Sequence, residues 1–181
     1  MLTLDVGCGS NFKGSVNCDL FVRDFLNHRG GGNDVLPIHL IPNFVLCDGT
    51  KLPFKDQCFD EVFSSQVIEH LDNPQSFVVE LVRVCRVGGL IDIDTAHRLG
   101  ERCRSFLHPK LGKWFKTHHV SKFNLVWFSH VAPIVGCVIV RSYVLQYAGF
   151  PHDCFAIINF PYMFGVVFRK NLIGNTLKGS E

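Results

Sequence analysis

The chain has 181 residues, 47% of them hydrophobic and 19% charged, with a formal net charge of +2. That is enough for one domain with a substantial core and too little for two, and it excludes a disordered or collagen-like chain. Eight cysteines (positions 8, 18, 47, 58, 85, 103, 137 and 154) lie scattered without a C-x-x-C pair; this argues against a disulfide framework or a zinc finger and makes a reducing cytoplasm the expected setting.

Leu2 to Val6 reads as a strand rather than as the basic and then apolar opening of a signal peptide, and it runs into Gly7-Cys8-Gly9-Ser10. Ser15 to Asp19, Asn43 to Cys47 and Glu61 to Ser64 follow as short apolar or β-branched runs, each ending in polar residues. Strands of a buried parallel sheet read this way when their carboxyl ends carry the functional loops. Asp72 or Asn73 can cap a helix whose first turn takes Pro74, whose apolar face is Phe77, Val78, Leu81, Val82 and Cys85, and which stops at Gly88-Gly89. Leu90 to Asp94 is the fifth strand, and a strand, helix, strand crossover of this length predicts parallel pairing.

Arg98 to Lys122 carries seven basic residues against the single acid Glu101. This is either a solvated face or a surface for an anion. The 17 residues from Asn124 to Val140 bear no formal charge, but they contain Ser129, His130, Pro133 and Gly136 and fall short of the about 20 apolar residues of a bilayer span. Burial against the core, or over an apolar substrate pocket, is expected instead. A helix over Arg141 to Ala148 and two strands, Cys154 to Asn159 and Met163 to Arg169, complete the pattern; the short Phe160-Pro161-Tyr162 link predicts an antiparallel hairpin. The expected fold is α/β: a Rossmann-like three-layer sandwich with about seven mostly parallel strands and a C-terminal antiparallel hairpin. Residues 1–170 would form the domain and 171–181 a flexible tail.

Glycines directly after the first strand let the backbone turn sharply and approach a ligand. Position 12, where a dinucleotide fingerprint needs a third glycine, is Phe12, and no G-K-[ST] phosphate loop is present. The loop therefore suits a ligand without a pyrophosphate. Asp19, at the end of the second strand, can accept from ribose hydroxyls, and Asp48, after the third, from an exocyclic amine. His97, Cys103, His108, His118 and His119 have no standard zinc spacing, so no metal is expected.

Leu4-Asp5-Val6-Gly7-Cys8-Gly9-Ser10, Cys47-Asp48-Gly49-Thr50-Lys51-Leu52-Pro53-Phe54, Phe59-Asp60-Glu61-Val62, Val67-Ile68-Glu69-His70-Leu71 and Arg83-Val84-Cys85-Arg86-Val87-Gly88-Gly89 together resemble the class I S-adenosylmethionine-dependent methyltransferases, and within them the small methyltransferase type 11 domain. The resemblance implies S-adenosylmethionine as cofactor and a cofactor site of Asp5, Gly7, Cys8, Gly9, Asp19, Asp48, Gly49, Ser65 and Gln66. In it Gly7 and Gly9 border the methionine part, Asp19 holds the ribose, Asp48 and Gly49 flank the adenine, and Ser65 and Gln66 sit by the sulfonium. Asp5 would orient the glycine loop or the cofactor's ammonium group.

Two departures stand out. Nine residues separate Gly9 from Asp19, fewer than the family usually places there, so the first helix is expected to be a turn or missing. Val87 stands where the family usually has proline. His70 and His97 are the candidate catalytic bases, needed when the acceptor must lose a proton. A small-molecule acceptor is the first expectation, nucleic acid held by the basic 98–122 region the alternative, and a non-catalytic cofactor-binding subunit the third. A membrane is not expected as a partner, and oligomeric state is left open.

Overall fold

The computed structural model describes residues 1–22, 35, 36, 38–96, 121, 123–145 and 163–171. Among the described residues seven strands form one sheet: β1 (Thr3–Val6), β2 (Val16–Asp19), β3 (Phe44–Leu46), β4 (Phe59–Ser65), β5 (Cys85–Ala96), β6 (Cys137–Leu145) and β7 (Met163–Lys170). Their spatial order is β3-β2-β1-β4-β5-β7-β6. The pairs from β3 to β5 are parallel, and β7 runs antiparallel to both β5 and β6. This is the expected α/β sheet, mostly parallel with its antiparallel pairing at the C-terminal strands.

Helix α1 (Pro74–Val84) forms where the apolar spacing predicted it. The Asn73 side chain caps it by accepting from Ser76 N at 3.1 Å, with Pro74 in the first turn. It ends at Val84, and Cys85 is already extended, so the glycines do not stop the helix. They shape a bulge instead: β5 pairs Cys85 with Phe59 and then Leu90 with Glu61, and Gly88 takes a φ of +78° between them. At the other end of the chain, the buried Lys170 ammonium donates at 2.8 Å to Val82 O and to Cys85 O, meeting carbonyls that the last helical turn leaves without partners.

Helix α2 (Leu125–Ile134) is capped by Asn124, which accepts from Trp127 N at 3.0 Å. Gly136, with a φ of +72°, turns the chain into β6. The charge-free stretch is thus a ten-residue helix, a turn and the start of a strand, and no described helix is long and apolar enough to cross a membrane.

Two sequence expectations are corrected here. Arg141 to Leu145 is strand, not helix, because it continues the β-branched run Val138-Ile139-Val140 and pairs along its length with β7. The antiparallel partner of β7 is therefore β6, reached across residues 146–162, and not a neighbouring strand joined by a three-residue link. The expected Cys154 to Asn159 strand lies outside the described residues, as do nearly all of the basic 98–122 region and residues 172–181 of the expected tail.

Both described helices pack on the same side of the sheet. Leu4, Val6, Cys18, Val62, Ile91, Ile93, Val166 and Phe168 alternate toward Phe77, Val78 and Leu81 of α1 and Phe128, Val131 and Ala132 of α2. Burying a side chain such as Phe77 or Phe128 contributes about 1.5–3 kcal/mol. The opposite side carries Asp5, Asn17, Asp19, Ser65, Asp92 and Asp94, so the strand alternation sends the polar residues to one face.

Candidate functional site

The chain moves outward in one direction through β1, β2 and β3, then returns to the other side of β1 with β4 and β5. Where a parallel sheet reverses like this, the loops leaving the strand ends on either side part and open a crevice. The loop leaving β1 is Gly7-Cys8-Gly9. Gly7 N and Cys8 N donate to Cys18 O at 2.8 and 3.1 Å, and Gly9 N donates to Asp19 Oδ2 at 3.0 Å. Gly7 has a φ of +75°, and a Cβ there would run into Val67 Cγ2. Gly9, at +53°, faces no atom within 4 Å of where its Cβ would be, so the main chain there borders open space.

The absent first helix is confirmed as a turn. Residues 7–15 contain no helix, and Asp5 closes the turn by accepting from Lys13 N at 2.8 Å. Gly14 packs so tightly that a Cβ would lie 2.7 Å from Asp5 N. Asp19 is 6% exposed at the end of β2, with Oδ1 accepting from Phe21 N at 3.1 Å and Oδ2 from Gly9 N. Its short connection therefore ties it directly to the glycine loop. Asp48 is exposed, and its Oδ1 accepts from Thr50 N and Oγ1 at 2.8 and 2.7 Å, the Asx-turn geometry. Gly49 leaves room for Phe77, whose ring would be 2.6 Å from a Cβ. The Cys8 thiol is buried in a small apolar cluster with Leu36 and Ile41.

The segment after Asp48 is held from α1. Arg83 donates to Leu52 O and Phe54 O at 2.8 Å each, to Asp56 Oδ1 at 2.7 Å and to both Glu80 oxygens, while Leu52 N donates to Glu80 Oε2. The Arg83 bond holds the Glu80 carboxyl below its ordinary range, and Glu80 in turn raises the guanidinium pKa.

On the far side of the crevice, Ser65 Oγ and Gln66 Nε2 donate to Asp94 Oδ1 at 2.9 and 3.1 Å, and Gln66 N donates to Asp94 O. Gln66 has a φ of +55°, a conformation costly outside glycine and concentrated at functional sites. Sequence reasoning singled out Ser65 and Gln66 but not Asp94, which accepts from both. Its signal was an acid on a strand that otherwise alternates with isoleucine, Ile91-Asp92-Ile93-Asp94. His70 ends the 3-10 turn Ile68–His70 and is half-buried. Beside it Glu69 is 1% exposed and accepts from Thr95 Oγ1 at 2.9 Å. His97 lies outside the described residues. Among those described, no group of His, Cys, Asp and Glu is arranged to hold a metal.

Electrostatically the crevice floor is acidic. Burial raises Asp5 to about 6, opposed by the Lys13 amide and charge and reinforced by the charges of Asp19 and Asp94. A site with three buried carboxylates and an open glycine loop favours a ligand carrying positive charge and hydroxyls. S-Adenosylmethionine has both, in its sulfonium and ammonium groups and its ribose, and no pyrophosphate that would need a third glycine.

The family described as "Methyltransferase domain" matches residues 4–93. An uncharacterized methyltransferase of Mycobacterium sp. (strain JLS) is 37% identical over 93 residues, covering 48% of this chain and 35% of that protein. The tRNA U34 carboxymethyltransferase of Shewanella halifaxensis is 31% identical over 138 residues, 69% of this chain and 38% of that protein. The chain thus spans little more than a third of the length of these relatives. In fold it is similar to the putative methyltransferase solved in complex with the Haloferax volcanii Trm112 methyltransferase activator, with a TM-score of 0.67 at 12% identity over 94% of this chain and 82% of that one.

Proposed function

This chain belongs to the class I S-adenosylmethionine-dependent methyltransferases, and we propose that it binds S-adenosylmethionine in the crevice above β1 and transfers the methyl group to a small-molecule acceptor. The observation that carries this is the convergence of the open Gly7-Cys8-Gly9 loop with Asp19 on one side and Ser65, Gln66 and Asp94 on the other, all at strand carboxyl ends.

Gly7 and Gly9 border the methionine portion, and Asp5 faces its ammonium group. Asp19, held by Gly9 N and Phe21 N at the end of β2, is the acceptor for ribose hydroxyls. Asp48 and Gly49 flank the adenine, with Arg83 and Glu80 fixing the segment that follows. Cys8 contributes main chain, and Ser65 and Gln66 line the sulfonium end. The bound cofactor supplies a methyl group already made electrophilic by its sulfonium. The protein's task is to hold a nucleophile in line with it and exclude water, and such positioning can lower a barrier by about 7–11 kcal/mol. His70 and His97 are the proposed bases where the acceptor must lose a proton.

Calorimetry with S-adenosylmethionine and S-adenosylhomocysteine tests the reading. Wild type binds both at sub-millimolar concentration, and Asp19→Ala and Asp48→Ala each bind more weakly. No binding by wild type sinks the proposal; equal binding by both variants sinks the residue assignments alone.

The likeness to a tRNA-modifying enzyme favours a second reading, in which the basic 98–122 region grips RNA. It requires RNA binding that weakens steeply with salt, with a shallower slope in Lys113→Ala and Lys116→Ala. A third, in which the chain binds cofactor as part of a complex, draws on the Trm112 complex of the Haloferax neighbour. It requires cofactor binding without turnover until a partner is added.

A further inference from the structure

Asp94 is 6% exposed, yet its carboxylate meets no counter-charge among the described residues. Register sets it between Ser65 on β4 and Gly165 on β7. The two side-chain donors it receives, Ser65 Oγ at 2.9 Å and Gln66 Nε2 at 3.1 Å, are neutral, and both fall on Oδ1. No described residue bonds to Oδ2. Gly165 has no side chain to offer, and the Tyr143 ring lies over it, so that a Cβ there would run into the ring. Asp92, two residues back on the same face, is differently placed, because it takes the Tyr143 hydroxyl at 2.6 Å. Arg141 on β6 stacks over the Tyr143 ring, 5.3 Å from its centroid, and pairs with neither acid.

A buried carboxylate without a counter-charge is costly, and a cation brought beside it relieves that cost. Asp94 also anchors the Ser65-Gln66 end of the crevice through its main chain: Gln66 N donates to Asp94 O at 3.0 Å, in a turn that holds Gln66 at a φ of +55°. The charge of Asp94 reaches Asp5 on β1, with only β4 between, and helps to keep that carboxyl protonated. Its field therefore extends into the crevice floor instead of being cancelled where it arises.

We propose that Asp94 is the specificity-determining residue by which the site distinguishes S-adenosylmethionine from S-adenosylhomocysteine. The inference rests on the S-adenosylmethionine reading and on its placement of Ser65 and Gln66 at the sulfonium end. In the cofactor the sulfur carries a full positive charge, which the Asp94 carboxylate attracts. When the methyl group passes to a nucleophile, the sulfur keeps the electron pair of the breaking bond and becomes a neutral thioether. The attraction is then gone, and the bound product leaves Asp94 buried without a counter-charge. Exchange of spent for fresh cofactor is thereby favoured, and the product inhibits weakly.

Calorimetry on the full chain tests this with three probes: S-adenosylmethionine, S-adenosylhomocysteine, and sinefungin, in which a carbon bearing an ammonium group replaces the methylated sulfur. Wild type should bind the two cations more tightly than S-adenosylhomocysteine by about tenfold or more, the scale of one partly buried charge interaction. Asp94→Asn keeps an oxygen for Ser65 and Gln66 and loses the charge. It should lose most of the preference through weaker binding of the cations, while its affinity for S-adenosylhomocysteine stays within about twofold, which also shows the variant to be folded. Asp92→Asn, whose carboxylate already takes the Tyr143 hydroxyl, should keep most of the preference. A wild type that binds all three probes without preference overturns the proposal alone, and this comparison stands whether or not a variant folds. Equal weakening of all three in Asp94→Asn overturns it too, since a merely structural role acts on every ligand alike. So does a preference lost as fully in Asp92→Asn. Wild type that binds none of the three refutes the cofactor reading on which the proposal rests.

Discussion

Asp5 offers the sharpest quantitative test, because burial raises its pKa from 3.8 to about 6. The raised value means that the folded chain favours the protonated carboxyl, and between those two pH values it holds more protons than the unfolded chain. The stability this confers is therefore fully present below 3.8 and lost as pH rises through about 6. At about 1.4 kcal/mol per pH unit, the interval amounts to about 3 kcal/mol. Asp5→Asn removes the titration while keeping an oxygen that can accept from Lys13 N, now 2.8 Å away. In urea unfolding at constant ionic strength, the variant should match wild type near pH 4. It should be the more stable at pH 7.5, by up to about 3 kcal/mol less the weaker neutral acceptor. The cofactor gives a second readout, since a bound ammonium group favours the ionised carboxylate. With a pKa of about 6, the ionised fraction rises about tenfold from pH 5 to pH 7, and S-adenosylmethionine affinity should rise with it in wild type but stay flat in Asp5→Asn. Wild-type and variant curves that run parallel from pH 4 to 7 would refute the reasoning about burial.

Arg83→Met should lower stability by about 3 kcal/mol in urea unfolding, since it leaves the part-buried Glu80 carboxylate with the Leu52 amide alone and the Leu52 and Phe54 carbonyls without the guanidinium donor. It should also weaken cofactor binding through the segment after Asp48; an unchanged Kd would detach that segment from the site. Lys170→Met should lower the Tm, at a cost of about 1–3 kcal/mol, by withdrawing the donor from Val82 O and Cys85 O. Gly165→Ala would drive a Cβ into the Tyr143 ring and dislodge the 2.6 Å bond from Tyr143 to Asp92. Spectrophotometric titration should then find the tyrosine pKa, now pushed above the usual range by burial and Asp92, returned toward 10.

The elements read best from sequence were those with a local cause. Asn73-Pro74 and the apolar spacing behind them placed α1, and the glycine loop was visible because its two glycines follow a strand directly. The loop's brevity announced that a turn would replace the first helix. Asp94 was harder to see, because an acid in a strand becomes a site residue only when register sets it beside Ser65. The error at Arg141 to Leu145 has a similar source. Val138 to Val144 carries a strand signal, but a long charge-free run hid the Gly136 turn where helix gives way to strand.

What the sequence determined by itself was the order of the first five strands with α1 among them, the character of the glycine loop and the likeness to a methyltransferase family. These depend on backbone conformation and on residues near one another in the chain. Tertiary structure alone decided which residues meet: Asp19 with Gly9, Asp94 with Ser65 and Gln66, and Arg83 with the segment after Asp48. Such contacts are set by strand order and register, and a one-residue slip would turn each of these side chains to the opposite face.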